Sequence, residues 1–158
     1  MENSLQHLSP QDISAMVTYL KTTTPRRGKG ETPPNPAPPA SRSGPYTPVG
    51  AQRNDMGFQI FQSACASCHA YNGQGPQNQY AALYGSQAVN DVEGMNMTQV
   101  IIHGAHMQTK GGEAYMPAFG QAYRDAEIAA VANWTIRHFG GKEARITPEQ
   151  VAKRRKMQ

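Results

Sequence analysis

The sequence predicts an all-α fold, and three observations carry that prediction. Apolar residues recur at helical spacing in several stretches, and no alternating strand of convincing length separates them. Hydrophobic residues make up only 38% of the 158, against 15 glycines and 12 prolines, a thin supply for a self-sufficient core. Two cysteines, Cys65 and Cys68, stand too close together for a long-loop disulfide, so they cannot staple the domain either.

Four segments separate by composition. The first, residues 1–24, contains a short amphipathic helix. Ser9-Pro10-Gln11-Asp12 offers a cap, a proline at the first helical position and an acid at the third. Ile13, Met16, Val17 and Leu20 then fall on one face. Residues 25–50 hold eight of the twelve prolines and almost no large aliphatics, which describes a semi-rigid linker. Residues 51–141 hold both cysteines and the single tryptophan, and form the folded domain. Residues 142–158 are a basic tail with a turn-then-helix signal at Thr147-Pro148-Glu149-Gln150.

Within 51–141 three helices are expected. Asn54 or Asp55 caps one that runs into Cys65, with Gly57, Phe61 and Cys65 on one face. Thr98 caps a second, Gln99 to His103, which stops at Gly104. The longest runs from Asp125 to Phe139, with Ile128, Val131, Ala132 and Thr135 on one face and Gly140-Gly141 as its stop. Residues 12–19 align in type with residues 127–134, acid, Ile, Ala, apolar and aromatic falling in step.

Charge and hydropathy exclude several classes. The net charge is +4, but residues 53–140 carry four basic and six acidic side chains. The basic excess therefore lies in the flanks, which have few aromatics, so it reads as solvated surface rather than as a nucleic-acid site. No apolar run approaches the roughly 20 residues of a membrane span, and the first residues lack the basic start and apolar stretch of a signal peptide.

Cys65-Ala66-Ser67-Cys68-His69 is the attachment motif of a c-type haem. Two thiols three positions apart can each form a thioether to a porphyrin vinyl group, and the adjacent His reaches the iron. A redox dithiol would want βαβ surroundings, and a zinc site would want further cysteines; the chain offers neither. A porphyrin also supplies the apolar surface that the composition lacks. Tyr115-Met116-Pro117-Ala118-Phe119-Gly120 is the expected source of the sixth iron ligand, Met116, with Pro117 stiffening its loop. Met95, Met97 and Met107 lack that context, and His103 and His106 are the rivals for a bis-His iron.

Residues 54–140 resemble a class I cytochrome c domain. Gly57, Phe61, Cys65, Cys68, His69, the helix ending at His103-Gly104, the Met116–Gly120 motif and the Asp125–Trp134 helix appear in the family's order. The resemblance implies one covalently bound haem c held by Cys65 and Cys68, with His69 and Met116 as axial ligands of its iron. It also implies first and last helices that cross, Gly57 permitting close approach and Phe61 packing on Trp134. Where the family has an aromatic-Pro-Pro-Leu run, this chain has Tyr80-Ala81-Ala82-Leu83. The Ala81 carbonyl is expected to take over the bond to the His69 ring, in a less rigid loop.

More narrowly, Ala88-Val89-Asn90, the Met116–Gly120 motif, the Trp134 helix and the tail Ile146–Val151 are similar to the last domain of multi-haem cytochrome c subunits of bacterial membrane-bound dehydrogenases. These oxidise alcohols, aldehydes, gluconate or fructose. That resemblance implies electron transfer rather than catalysis, with a dehydrogenase catalytic subunit and other haem domains as partners and quinone or an oxidase as acceptor. It further implies a place on the periplasmic side, membrane association through the complex, and an export signal belonging to a longer precursor. Residues 1–24 are then expected to be the closing helix of a preceding domain of the same kind. The rival expectation is a peroxidase-like or ligand-sensing haem domain whose sixth ligand is displaceable.

Overall fold

In a computed structural model, residues 8–24, 55–75, 79–109 and 112–157 are described. They fall into two compact units, one holding the first helix and the other everything from Asp55 onward. The expected linker at 25–50 lies outside the described residues.

Helix α1 (Pro10–Thr22) begins as its sequence dictates. The Ser9 hydroxyl accepts from the Asp12 N–H at 3.2 Å while the Asp12 carboxylate accepts from the Ser9 N–H at 3.0 Å, a reciprocal cap with Pro10 in the first turn. None of its residues is buried; Ile13, Met16, Val17 and Leu20 are each more than 40% exposed.

The second unit is helical apart from one hairpin, so the all-α class holds. Asp55 caps α2 (Met56–Ile60), its carboxylate accepting from the N–H groups of Gly57 and Phe58. The chain continues through a π-turn at Phe61–Cys65 into α3 (Ala66–His69). A 3₁₀ turn at Gln79–Ala81 and α4 (Gln87–Asn90) lead to α5 (Met95–His103). Strands β1 (Ala105–Thr109) and β2 (Gly112–Met116) pair antiparallel, Ala105 opposite Met116 and Met107 opposite Ala114. Helix α6 (Asp125–Thr135) runs into a π-turn at Ile136–Gly140, and α7 (Pro148–Arg154) closes the unit.

Helices α2 and α6 meet backbone to backbone. A β-carbon placed on Gly57 would stand 2.3 Å from the Ala130 carbonyl oxygen and 2.5 Å from the Trp134 β-carbon, so only glycine fits. That approach brings Phe61 onto Trp134, ring centroids 4.7 Å apart, as the sequence led one to expect. Phe139 joins them at 5.3 Å from Phe61, and Ile128, Ile136, Val89 and Val151 complete the fully buried set.

Three sequence expectations change. Thr98 does not cap α5: the helix starts one turn earlier, behind Gly94, and Thr98 is buried within it, its hydroxyl donating to the Gly94 carbonyl at 2.9 Å. Asp91 supplies the missing start signal, its carboxylate accepting from the N–H groups of Glu93 and Met95. The β-hairpin was not expected, because strands built on Ala105, Gly112 and Ala114 carry little strand propensity.

The basic flank after residue 141 is only partly solvated: Arg145, Lys153 and Lys156 are exposed, whereas Arg154 is buried. Ile146 and Val151 are buried, and the Asn133 side chain brackets the Ile146 backbone with two 2.9 Å hydrogen bonds. Arg154 is 5% exposed, donating to the carbonyls of Gly94 and Glu93 and to the Thr98 hydroxyl. Its charge is tolerated there because each of these acceptors faces a guanidinium donor.

Two outcomes follow from this packing. Gly57→Val should lower the urea midpoint by an amount worth about 3 kcal/mol, with an unchanged m-value, since the overpacked atoms are backbone. His138 stacks on Trp134 at 4.5 Å, and burial holds its imidazole below the ordinary 6.5. The unfolded chain takes up that proton more readily, so stability is full above about 6.5 and falls as pH drops toward the depressed folded value. His138→Phe should shrink the difference in urea midpoint between about pH 7.5 and about pH 5.5.

Candidate functional site

Cys65 and His69 reach one cavity because of how α2 ends. The π-turn at Phe61–Cys65 inserts one residue into the helical ladder, a local device common at functional sites. The cavity that they line has a volume of about 660 Å³, within the range of cofactor pockets. One wall is Phe61, Ala64, Cys65, Cys68 and His69; a second is Tyr80 to Leu83; a third is Met97, Val100 and Ile101 of α5. The hairpin and the loop after it bring Ala105, Met107, Ala114, Met116, Pro117 and Phe119, while α6 adds Val131 and Thr135. The lining is mostly apolar. Its one carboxylate among the described residues, Glu113, lies 3.4 Å from the exposed His106.

Sequence reasoning named Cys65, Cys68, His69 and Met116 as site residues, and all four line this cavity. Of the rivals, Met97 and Met107 line it as well, whereas Met95, His103 and His106 do not. Met107 and Met116 share a face of the hairpin, since residues 105 and 107 of β1 stand opposite 116 and 114 of β2.

His69 is oriented from behind. Its Nδ1 lies 2.6 Å from the Ala81 carbonyl oxygen, which can only accept, so Nδ1 carries the proton. In the neutral ring, Nε2 is then the nitrogen with a lone pair for a metal. The bond expected of the Ala81 carbonyl forms without a proline at that position. Backbone contacts hold the loop instead: the Leu83 N–H donates to the Gly73 carbonyl at 2.8 Å, and the Gly75 N–H to the His69 carbonyl at 3.1 Å.

The two thiols are unbridged. Burial pushes the Cys65 thiol up to about 11, with the neighbouring Cys68 adding to the rise. A redox dithiol needs a lowered value and a ready thiolate, so the environment argues against that chemistry. The residues present fit a haem: an apolar cavity of suitable size, two adjacent thiols, an imidazole in a fixed tautomer and a thioether on another wall.

One site feature has no sequence signature. Ala70, directly after His69, has φ 57° and ψ 162°, a region occupied almost only by glycine. The turn ends α3 abruptly, and the returning chain binds back to the His69 carbonyl.

The family described as cytochrome c oxidase, cbb3-type, subunit III matches residues 52–134. The chain belongs to this cytochrome c family. The cofactor of this cytochrome c domain is covalently bound haem c, consistent with its Cys65-x-x-Cys68-His69 motif. The fructose dehydrogenase cytochrome subunit of Gluconobacter japonicus is 30% identical over 96% of this chain and 34% of its own length. The gluconate 2-dehydrogenase cytochrome c subunit of Pantoea cypripedii is 27% identical over 99% of this chain and 35% of its own. Cytochrome c6 of Gracilaria tenuistipitata var. liui is 37% identical over 82 residues, 52% of this chain and 69% of that protein. The chain thus spans about a third of the length of the two dehydrogenase subunits. No described helix is long and apolar enough to cross a membrane.

The strained turn yields a direct measurement. Ala70→Gly should raise the stability of the cytochrome by about 1 kcal/mol, the relief of strain exceeding the entropy that glycine adds to the unfolded chain. Denaturant titration of the two holoproteins checks it.

Proposed function

We propose that the domain is a one-electron relay with a closed His–Met iron, working between a dehydrogenase catalytic subunit and a quinone or oxidase acceptor. The observation that carries this reading is the convergence of Cys65, Cys68, His69 and Met116 on one apolar cavity. When bound, haem c would supply a ferric–ferrous couple, and His69 and Met116 would hold its iron so that no position is left for substrate. Cys65 and Cys68 provide the thioether tethers. His69 presents Nε2, its ring held by the Ala81 carbonyl behind Nδ1. Met116 provides a soft sulfur that favours the ferrous state, and the apolar walls exclude water from both ligands.

The named relatives support the dehydrogenase partner, since both are cytochrome subunits of dehydrogenases that align along nearly the whole chain. The same alignments support reading α1 as the closing helix of a preceding haem domain, joined through residues 25–50. The exposed stripe of Ile13, Met16, Val17 and Leu20 is the face that such a domain would cover. Covalent haem attachment in bacteria takes place outside the cytoplasm, which supports a periplasmic location, with any membrane association made through the complex.

A visible spectrum and a potential test this reading together. Colour should survive acid–acetone extraction, and the oxidised protein should show the weak red-edge absorption of sulfur ligation. Met116→His should abolish that absorption and lower the reduction potential by on the order of 0.1 V, within the roughly 0.8 V that axial ligands command. Rapid carbon monoxide binding by the reduced parent protein would instead favour the peroxidase-like or ligand-sensing alternative.

A further inference from the structure

We infer that Arg155, on the segment after the family match, is a positioning residue for the Met116 ligand loop. The inference rests on the reading of Met116 as an axial ligand. From Pro117 to Arg124 the chain has no regular secondary structure, so something other than a helix or strand ladder must fix the sulfur. One side of the loop is tied to α5, where the Phe119 N–H donates to the Ile101 carbonyl at 2.9 Å and the Gly120 N–H to the Ile102 carbonyl at 3.0 Å. The other side is held by Arg155, which binds the Gly120 and Tyr123 carbonyls.

The Arg155 guanidinium donates in three directions: to the Gly120 carbonyl, to the Tyr123 carbonyl at 2.6 Å and to the Asp125 carboxylate at 2.5 Å. A planar fork is suited to this, because its donors are fixed relative to one another; an ammonium could not span the three acceptors at once. The pair with Asp125 is partly buried, which spares it much of the screening that an exposed pair suffers. Gly120 lies pressed between the two holds. A β-carbon there would stand 2.7 Å from the Ile102 carbonyl oxygen and 3.2 Å from Nη1 of Arg155. Helix α7 thereby completes the ligand loop from outside the residues of the family match, which ends at 134.

A fold staple and a ligand-loop clamp differ in what they move. The clamp predicts that holoprotein carrying Arg155→Gln loses the red-edge absorption at a lower temperature than the parent. Its reduced form should bind carbon monoxide at least ten times faster, because the sulfur leaves the iron more often. Arg155→Lys should behave like the Gln variant, since charge alone does not restore the fork. Met116→Ala is the reference for full loss of sulfur ligation. Should Met116→Ala keep the red-edge absorption, the ligand assignment itself fails, and this inference with it. Should Met116→Ala lose it while both Arg155 variants match the parent in absorption and carbon monoxide rate, the ligand assignment stands and the clamp is overturned. If the Arg155 variants yield no holoprotein, Asp125→Asn, which removes only the carboxylate partner, decides between the same two results.

Discussion

A domain that reserves its centre for a porphyrin has to be held together from its periphery, and this constraint governs the rest of the structure. Helices that would otherwise interdigitate instead present a cavity of about 660 Å³. Side-chain packing is therefore concentrated on the far side of the cavity walls. There Gly57 lets α2 lie directly on α6, and Phe61, Trp134 and Phe139 fill the wedge behind. Phe61 belongs to both regions, buried in the aromatic cluster while lining the cavity.

The same constraint explains the polar clamps. Arg154 ties α7 to the start of α5 through Gly94, Glu93 and Thr98; Asn133 ties α6 to the backbone of Ile146; Lys142 donates to the Asn90 carbonyl at 2.6 Å. Each joins elements distant in sequence, and each donates to a backbone carbonyl at a helix terminus or in a loop. A basic residue is the natural choice, since it brings several donors on a long stem and covers apolar surface on the way. The excess positive charge that looked like a solvated flank is in part this set of clamps.

How much was legible in the sequence follows from how local each signal is. Caps written in three or four residues were readable: Ser9 with Asp12, Asp55, and Thr147 with Gln150 all close their helices as their types suggest. The motif from Cys65 to His69 was readable because its chemistry demands a fixed spacing, and the place of Met116 on the cavity wall because Pro117 and its neighbours mark the loop. Thr98 misled because a cap residue and a buried helical threonine look alike until Arg154, 56 positions away, is known to bind it. The hairpin was hard to read because its alternation is short and built on Ala105, Met107, Ala114 and Met116, weak strand formers that face the cavity rather than cover a core. Ala70 gave no warning, because a strained alanine is spelled like any other.

The Tyr80-Ala81-Ala82-Leu83 run shows how a local rule can be broken without losing the geometry it serves. Proline in that place would fix φ and present its carbonyl to the imidazole from a stiff loop. Alanine retains the carbonyl and gives up the stiffness, and here the 2.6 Å contact to Nδ1 survives. The stiffness has moved elsewhere: Gly75 lies against the backbone of Ala81 and Ala82, with a notional β-carbon 2.4 Å from the Ala81 carbonyl carbon, and Leu83 binds back to Gly73. Two chain segments pressed together replace one rigid ring. The strained backbone at Ala70 belongs to the same solution, because the sharp exit from α3 is what returns the chain to His69. Rigidity at the imidazole is thus a property of the contacts between residues 70–75 and 81–83.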